Sequence, residues 1–418
     1  MKVSELREEI RRRSLETLTF RRESPIQRES TATFDNWSRV VAVLMQHYYQ
    51  PDIEAVRVVY SAVAAHDLKG QPVWPMAVAP PGSMKTEVLR ALDDLPRVHS
   101  VDSVTPRTFI SGQIRDAGAA TAPPSSLLHR IGKSGILVCG DFSTILSIKT
   151  DDRNAIFADL RRIYDGELRK EFGTSETVPV WRGRITFVAA VTEAIDTKYS
   201  VIQSLGDRFV MVRWARAGEE AALMAMTQDI DRARADLKGA VQTLFQHLPA
   251  NEPTISDVVH KKLAALAEFC VRARSYVPRE GTDKAIIGST QPESATRLSQ
   301  QLSQLAKGSA RLARRSAVND QDFHTARRAG FDCIPGRRRK MLDVLIDGGT
   351  IARSSSSTTR YDCDDLESLG LLRGTELSDL AKQLLRSIGR TESPPRPIEG
   401  STTDEGGTSC AVDDGGAA

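Results

Sequence analysis

Ala79-Pro80-Pro81-Gly82-Ser83-Met84-Lys85-Thr86 is the stretch from which the rest of the chain is read. It follows an apolar run, Trp74-Pro75-Met76-Ala77-Val78, with the character of a buried parallel strand. It leads into Glu87-Val88-Leu89-Arg90-Ala91-Leu92, whose apolar positions fall at helical spacing. Strand, small-residue loop ending in Lys-Thr, then helix is the context that a phosphate-binding P-loop requires. In that reading the loop Pro81 to Thr86 wraps phosphates with the backbone N–H groups of Gly82 to Thr86, Lys85 reaches the β and γ oxygens, and the Thr86 hydroxyl binds Mg²⁺. The match to G-x-x-x-x-G-K-[ST] is incomplete: Ala79 stands at the first glycine and Met84 at the second, and Met adopts positive φ less readily than Gly. The plain alternative is a strand, turn and helix whose lysine is solvated.

A chain of 418 residues is long enough for two or three domains with their own cores. A formal charge of +3 is too small to argue a nucleic-acid partner from totals, so that claim rests on local patches. No apolar run approaches the roughly 18 to 20 residues of a membrane span, and the basic, polar start has no signal-peptide pattern. A cytoplasmic protein without a membrane partner is expected. Cys139, Cys270, Cys333, Cys363 and Cys410 are scattered and lack C-x-x-C spacing, which indicates neither a disulfide framework nor a zinc site.

Taken in order, residues 1–67 read as a basic N-terminal arm followed by two helices, over Trp37 to Tyr49 and Ile53 to Ala65. Residues 68–217 alternate apolar strands with helices, the pattern of a parallel α/β sheet. After the first strand come strands near Val98 to Val101, at Gly135 to Cys139, at Ile185 to Val191 and at Val210 to Trp214, with a helix over Arg153 to Leu168. The run Gly135 to Cys139 ends at Gly140-Asp141, and an acid at a strand end about fifty residues beyond a P-loop suits a Mg²⁺-organising carboxylate. Thr192 ends the next apolar strand, where polar groups face a bound ligand in such sheets. Residues 218–334 are rich in Ala, Leu, Arg and Glu at helical spacing. In 335–388, helix, polar turn, helix and Gly370-Leu371-Leu372-Arg373 suggest a winged helix-turn-helix with Arg353 and Arg360 flanking the turn; a helical dimerisation or lid element is the alternative. The Pro, Ser, Gly and Asp-rich tail, 389–418, has little to bury.

Over about residues 55 to 375 the chain resembles the AAA+ P-loop ATPases, nearest to bacterial ATP-binding proteins with a C-terminal winged helix and to minichromosome-maintenance-like helicases of mobile elements. The P-loop carries the resemblance together with Ser103-Val104-Thr105-Pro106-Arg107, Asp141-Phe142-Ser143-Thr144-Ile145-Leu146, Ile163-Tyr164-Asp165-Gly166, Val191-Thr192-Glu193-Ala194-Ile195-Asp196, Gly206-Asp207-Arg208-Phe209 and Pro292-Glu293-Ser294-Ala295-Thr296-Arg297-Leu298. It implies an AAA+ sheet, an all-helical lid over 218–334 and a winged helix over 335–388. It implies ATP and Mg²⁺ at Lys85 and Thr86, a γ-phosphate sensor at Thr192, a second sensor at Arg297, and an arginine finger at Arg208 that reaches a neighbouring subunit's ATP in a homo-oligomer. The plain alternatives are a local Asp207 to Arg208 pair and a surface cation at Arg297.

One departure bears on activity. The family's strand ends in Asp-Glu, one carboxylate for metal and one to orient water, whereas a single acid stands here. Either Gly140 takes the metal position and Asp141 the water position, or Asp141 takes the metal and Phe142 the other; Glu87, Asp165 and Glu167 are substitutes to consider. The resemblance therefore implies a DNA-associated ATPase of replication or mobile-element maintenance, binding DNA through 335–388, with ATP binding better supported than fast hydrolysis. The rival is an ATP-gated winged-helix transcriptional regulator with little turnover.

Overall fold

The computed structural model describes residues 35–110, 126–171, 179–198, 208–215, 218–281, 285–288, 290–353 and 356–389. The N-terminal arm up to residue 34, the Gly118 to Ser125 loop, Gly206, Asp207 and the tail beyond residue 389 lie outside them.

Five parallel strands form the central sheet: β1 (Trp74–Val78), β2 (Val98–Val101), β3 (Ser134–Cys139), β6 (Arg184–Val191) and β7 (Phe209–Arg213), in the spatial order β2-β3-β6-β1-β7. Between β3 and β6 a two-stranded antiparallel hairpin, β4 (Glu167–Arg169) with β5 (Val180–Arg182), leaves the sheet. All five expected strands are present, four as apolar runs and β2 as Val98-His99-Ser100-Val101. The runs of β1, β3 and β6 read as apolar because these strands are central and buried on both faces.

Side-chain alternation assigns the faces. Thr186 of β6 accepts or donates a hydrogen bond with His66 Nδ1 (2.9 Å), just beyond α2 (Ile53–Ala64), which follows α1 (Asn36–His47). Its neighbour Phe187 must point the other way, and its ring lies 5.5 Å from Trp74 and from Phe209, and 6.2 Å from Phe142. Phe157 stacks on Phe142 from that side. So α2 covers one face, together with the short α3 (Lys85–Arg90), which Tyr60 meets by donating to Val88 O. After α4 (Leu127–Ile131) and α5 (Ser143–Ser147), α6 (Thr150–Tyr164) covers the other. The expected helix end at Leu168 is corrected to Tyr164: Gly166 turns the chain with φ +90° and Leu168 belongs to β4.

The region after residue 218 is helical as expected, with α7 (Glu219–Thr227), α8 (Ile230–Gln246), α9 (Asp257–Arg274), α10 (Thr296–Leu312) and α11 (Asp320–Asp332), and one small hairpin, β8 (Arg279–Glu280) with β9 (Ala285–Ile286). α10 lies along α2 so closely that Gly308 has no room for a Cβ against Ser61 O. The C-terminal segment contains α12 (Gly336–Ile346), α13 (Ser357–Ser368), the hairpin β10 (Leu372–Arg373) with β11 (Glu376–Leu377), and α14 (Asp379–Ser387). Among the described residues no helix is long and apolar enough to cross a membrane.

Candidate functional site

At the carboxyl end of β1 the chain turns back on itself. Ala79 N still donates to Val191 O (3.2 Å), after which Gly82 takes φ +77° and Met84 φ +66° before α3 begins at Lys85. Gly82 would meet nothing with a Cβ, so its glycine serves backbone conformation alone. Ser83 Oγ donates to Pro80 O (2.7 Å), and Lys85 Nζ donates to Ala79 O (3.0 Å) and Pro80 O (3.3 Å). Lys85 is buried beneath its own loop. Burial lowers its pKa below the usual lysine value, and the nearby Asp141 carboxylate opposes that shift.

Strand order sets what stands beside the loop. β6 lies between β1 and β3, with Val78 opposite Val191 and Cys139 opposite Ala189. Thr192 therefore follows beside Ala79, and Asp141 lies one strand away. Asp141 is exposed, its Oδ1 accepting Ser143 N (2.9 Å). Phe142 donates its N–H to Ala190 O (2.7 Å) while its fully buried ring packs in the aromatic cluster. Of the two registers open in the sequence, neither places a carboxylate at Phe142.

The loop forms one wall of a pocket of about 440 Å³, a size suited to a small-molecule ligand. Gly82 to Glu87 line its floor, His47 to Asp52 one side, Trp214 and Ala215 another, and α7 with Gln228 the roof. Among the described residues Tyr48 Oη, Trp214 Nε1 and Gln228 Nε2, all from residues lining this pocket, are buried from solvent and have no hydrogen-bond partner. Burial and the Glu87 charge push the Tyr48 phenol up to about 12, so it is a neutral hydroxyl. Glu87 is held bidentately by Arg234 of α8 (2.8 and 2.9 Å) and also by Arg90 (3.0 Å), which keep its carboxyl below the usual range.

The remaining candidates lie elsewhere. Arg208 precedes Phe209, whose partner Trp74 opens β1, so it sits at the amino ends of the strands, one strand length (about 15 Å) from the loop. Its Nη2 donates to both Asp165 oxygens (3.2 and 3.1 Å), its guanidinium lies 5.6 Å from the Tyr164 ring centre, and its carbonyl accepts from Gln301 Nε2 (2.7 Å). Arg297, at the start of α10, shares this neighbourhood through its electrostatic influence on Tyr164 and Arg208. The structure thus gathers Pro81 to Thr86, Asp141 and Thr192 at one edge, and Arg208 with Arg297 at the other. Of the acids considered as substitutes, Glu87 lines the pocket, Asp165 joins the far edge and Glu167 lies on the β4–β5 hairpin, paired with Arg182 (2.9 Å).

In the C-terminal segment several arginines are paired with acids. Arg337 donates to Asp362, Arg338 to Asp365, and Arg353 to Asp364 and Glu367, while Arg360 stays exposed at the start of α13. Sequence reasoning missed Tyr48, Trp214 and Gln228, since no periodicity marks one tyrosine at a helix end, one tryptophan after a strand and one glutamine after a helix as neighbours. The chain matches no known family profile and no curated protein sequence.

Proposed function

We propose that the chain is an ATP-binding P-loop protein of AAA+ type that works in association with DNA, its nucleotide state moving the helical lid over 218–334 and the winged-helix segment 335–388. The observation that carries this reading is the pocket: a loop with Lys85 beneath it forms the floor, and three buried donors without partners among the described residues, Tyr48 Oη, Trp214 Nε1 and Gln228 Nε2, belong to its lining residues. A buried donor left unpaired costs about 1–3 kcal/mol, a cost that the ring nitrogens of adenine, which are acceptors, would relieve. At the phosphate end Lys85 would exchange two carbonyl partners for phosphate oxygens, which bind an ammonium more strongly than neutral carbonyls do.

Mg²⁺ would be held by the Thr86 hydroxyl and Asp141 together with the nucleotide's own oxygens. Mg²⁺ commonly takes one or two carboxylates plus substrate phosphates, so the absence of a three-residue His, Cys, Asp or Glu cluster among the described residues is no obstacle. Thr192 stands between Lys85's loop and Asp141, where a hydroxyl can bond a γ-phosphate oxygen. Arg208, at the opposite edge, is buried and held by Asp165, which favours a structural role there over reaching a neighbouring subunit's site.

For DNA, the better surface is the β4–β5 hairpin. There Arg162, Arg169 and Arg182 share the Glu167 carboxylate, whereas Arg337, Arg338 and Arg353 of 335–388 each have acids of their own. The acid-paired arginines of the C-terminal segment and the single acid after β3 favour, as a second reading, an ATP-gated regulator with slow turnover. Steady-state turnover and DNA affinity, each measured with and without the other ligand, separate the two. The ATPase reading expects at least tenfold DNA-stimulated turnover. Negligible turnover with nucleotide-dependent DNA affinity supports the regulator, and no response of either to the other contradicts both.

A further inference from the structure

Hydrolysis of a nucleoside triphosphate in the proposed site needs a carboxylate that orients water, and β3 does not supply a second one. The described acids around the site can be taken in turn. Both Glu87 oxygens are engaged by Arg234. Asp52 accepts from Ala55 N (3.0 Å) and Arg328 (2.9 Å), and Asp196 is held bidentately by Arg213 (2.8 and 2.7 Å). Asp102 follows β2, the sheet edge, about 14 Å or three strand spacings from β1. Glu219 and Glu220 follow β7, on the side of β1 away from Asp141.

Glu193 differs from all of these. It directly follows Thr192 on β6, the strand inserted between the P-loop strand and the Asp141 strand, and both neighbours still hydrogen-bond to the end of β6, through Ala79 N to Val191 O and Phe142 N to Ala190 O. Its backbone is therefore within about 5 Å laterally of each flanking strand. It opens a 3₁₀ turn (Glu193–Lys198), is exposed, and among the described residues has no hydrogen-bond or ion-pair partner. Asp196, three residues on, anchors that turn to Arg213 and so fixes where Glu193 starts.

We propose that Glu193 is the water-orienting carboxylate of this site, the role moved from the end of β3 to the end of β6, with Asp141 left to the metal. Glu193 accepts a proton from water as the water oxygen bonds to the γ-phosphorus. The bond from that phosphorus to the β-phosphate bridging oxygen breaks, and the bridging oxygen keeps the electron pair, giving nucleoside diphosphate and phosphate. The inference rests on the proposed nucleotide site, and the experiment separates the two.

The full chain, Glu193→Gln and Asp141→Asn are compared for MgATP affinity, affinity for MgADP with fluoroaluminate as a transition-state mimic, and single-turnover rate. Glu193→Gln is expected to bind MgATP within threefold of the parent, lose turnover by about 100-fold or more, and bind the mimic at least tenfold more weakly. Asp141→Asn is expected to weaken MgATP binding as well. A parent that binds no MgATP overturns the nucleotide reading and this one with it. A parent that binds MgATP without turnover, or a Glu193→Gln variant that keeps turnover and mimic affinity within threefold, overturns the role of Glu193 alone.

Discussion

Single residues set the behaviour of this molecule at its smallest scale. Met84 stands where the P-loop pattern has glycine, yet its φ of +66° is left-handed, a conformation that costs an L-residue roughly 1–2 kcal/mol. The departure from glycine was legible in the sequence; that the backbone takes the glycine conformation regardless was not, because loop closure by Ser83 and Lys85 imposes it. His66 is a second case. It is buried between the hydroxyls of Thr186 and Ser134, each able to donate or accept, and burial lowers its pKa to about 4. The unfolded chain protonates this ring near pH 6.5. Between those values the unfolded state binds a proton that the folded state refuses, so the stability due to neutral His66 is fully present above pH 6.5 and is lost as pH falls to about 4. The loss is on the order of 3 kcal/mol. Denaturant unfolding of the parent should therefore steepen with acid over that window relative to His66→Gln; equal pH slopes would contradict the buried neutral ring.

Among elements, those with a strong hydrophobic pattern are legible in the sequence and those governed by one turn are not. Four of the five sheet strands follow from apolar runs, whereas in the sequence β4 reads as the end of a helix over Arg153 to Leu168, since Leu168 continues the spacing of Ile156, Leu160 and Tyr164. Gly166 breaks that spacing, and the hairpin places Asp165 under Arg208. The pair clasps α6 to β7, and Gln301 ties α10 to the same point through Arg208 O and the Tyr164 hydroxyl. From these contacts Arg208→Ala is expected to lower stability by about 1–3 kcal/mol, the cost of breaking hydrogen bonds to a charged group in a mostly buried setting, with MgATP affinity within threefold. Mixing it with Lys85→Ala subunits should restore no turnover. Rescue by mixing, with stability unchanged, would instead assign Arg208 to a neighbour's site.

On the scale of the whole molecule, order in the sheet brings the chemistry together and charge pairing joins the segments. Inserting β6 between β1 and β3 makes neighbours of Lys85, Thr192 and Asp141, which are far apart in sequence. The C-terminal helices are fastened to the helical region through Asp365, which accepts from both Arg279 and Arg338, while Arg338 also donates to Ala273 O and Ser275 O and Arg272 to Leu369 O. Arg337 and Arg338 find their acids, Asp362 and Asp365, about 25 residues away on α13, beyond the reach of any local pattern, whereas Arg339 meets Asp343 one turn along α12. The pocket has the same character, because its walls come from the turn after α1, the loop after β1, the residues after β7, and α7.

That this pocket holds a nucleoside triphosphate is tested most directly by calorimetric titration of MgATP into the full chain and into Lys85→Ala. The lysine offers a point charge to the phosphates but only carbonyl contacts to its own loop. The parent should bind with one site per chain, and Lys85→Ala should bind at least about 30-fold more weakly, roughly 2 kcal/mol, with its unfolding transition little changed. Equal affinity within threefold, or no heat of binding for the parent, would contradict a nucleotide site at this loop.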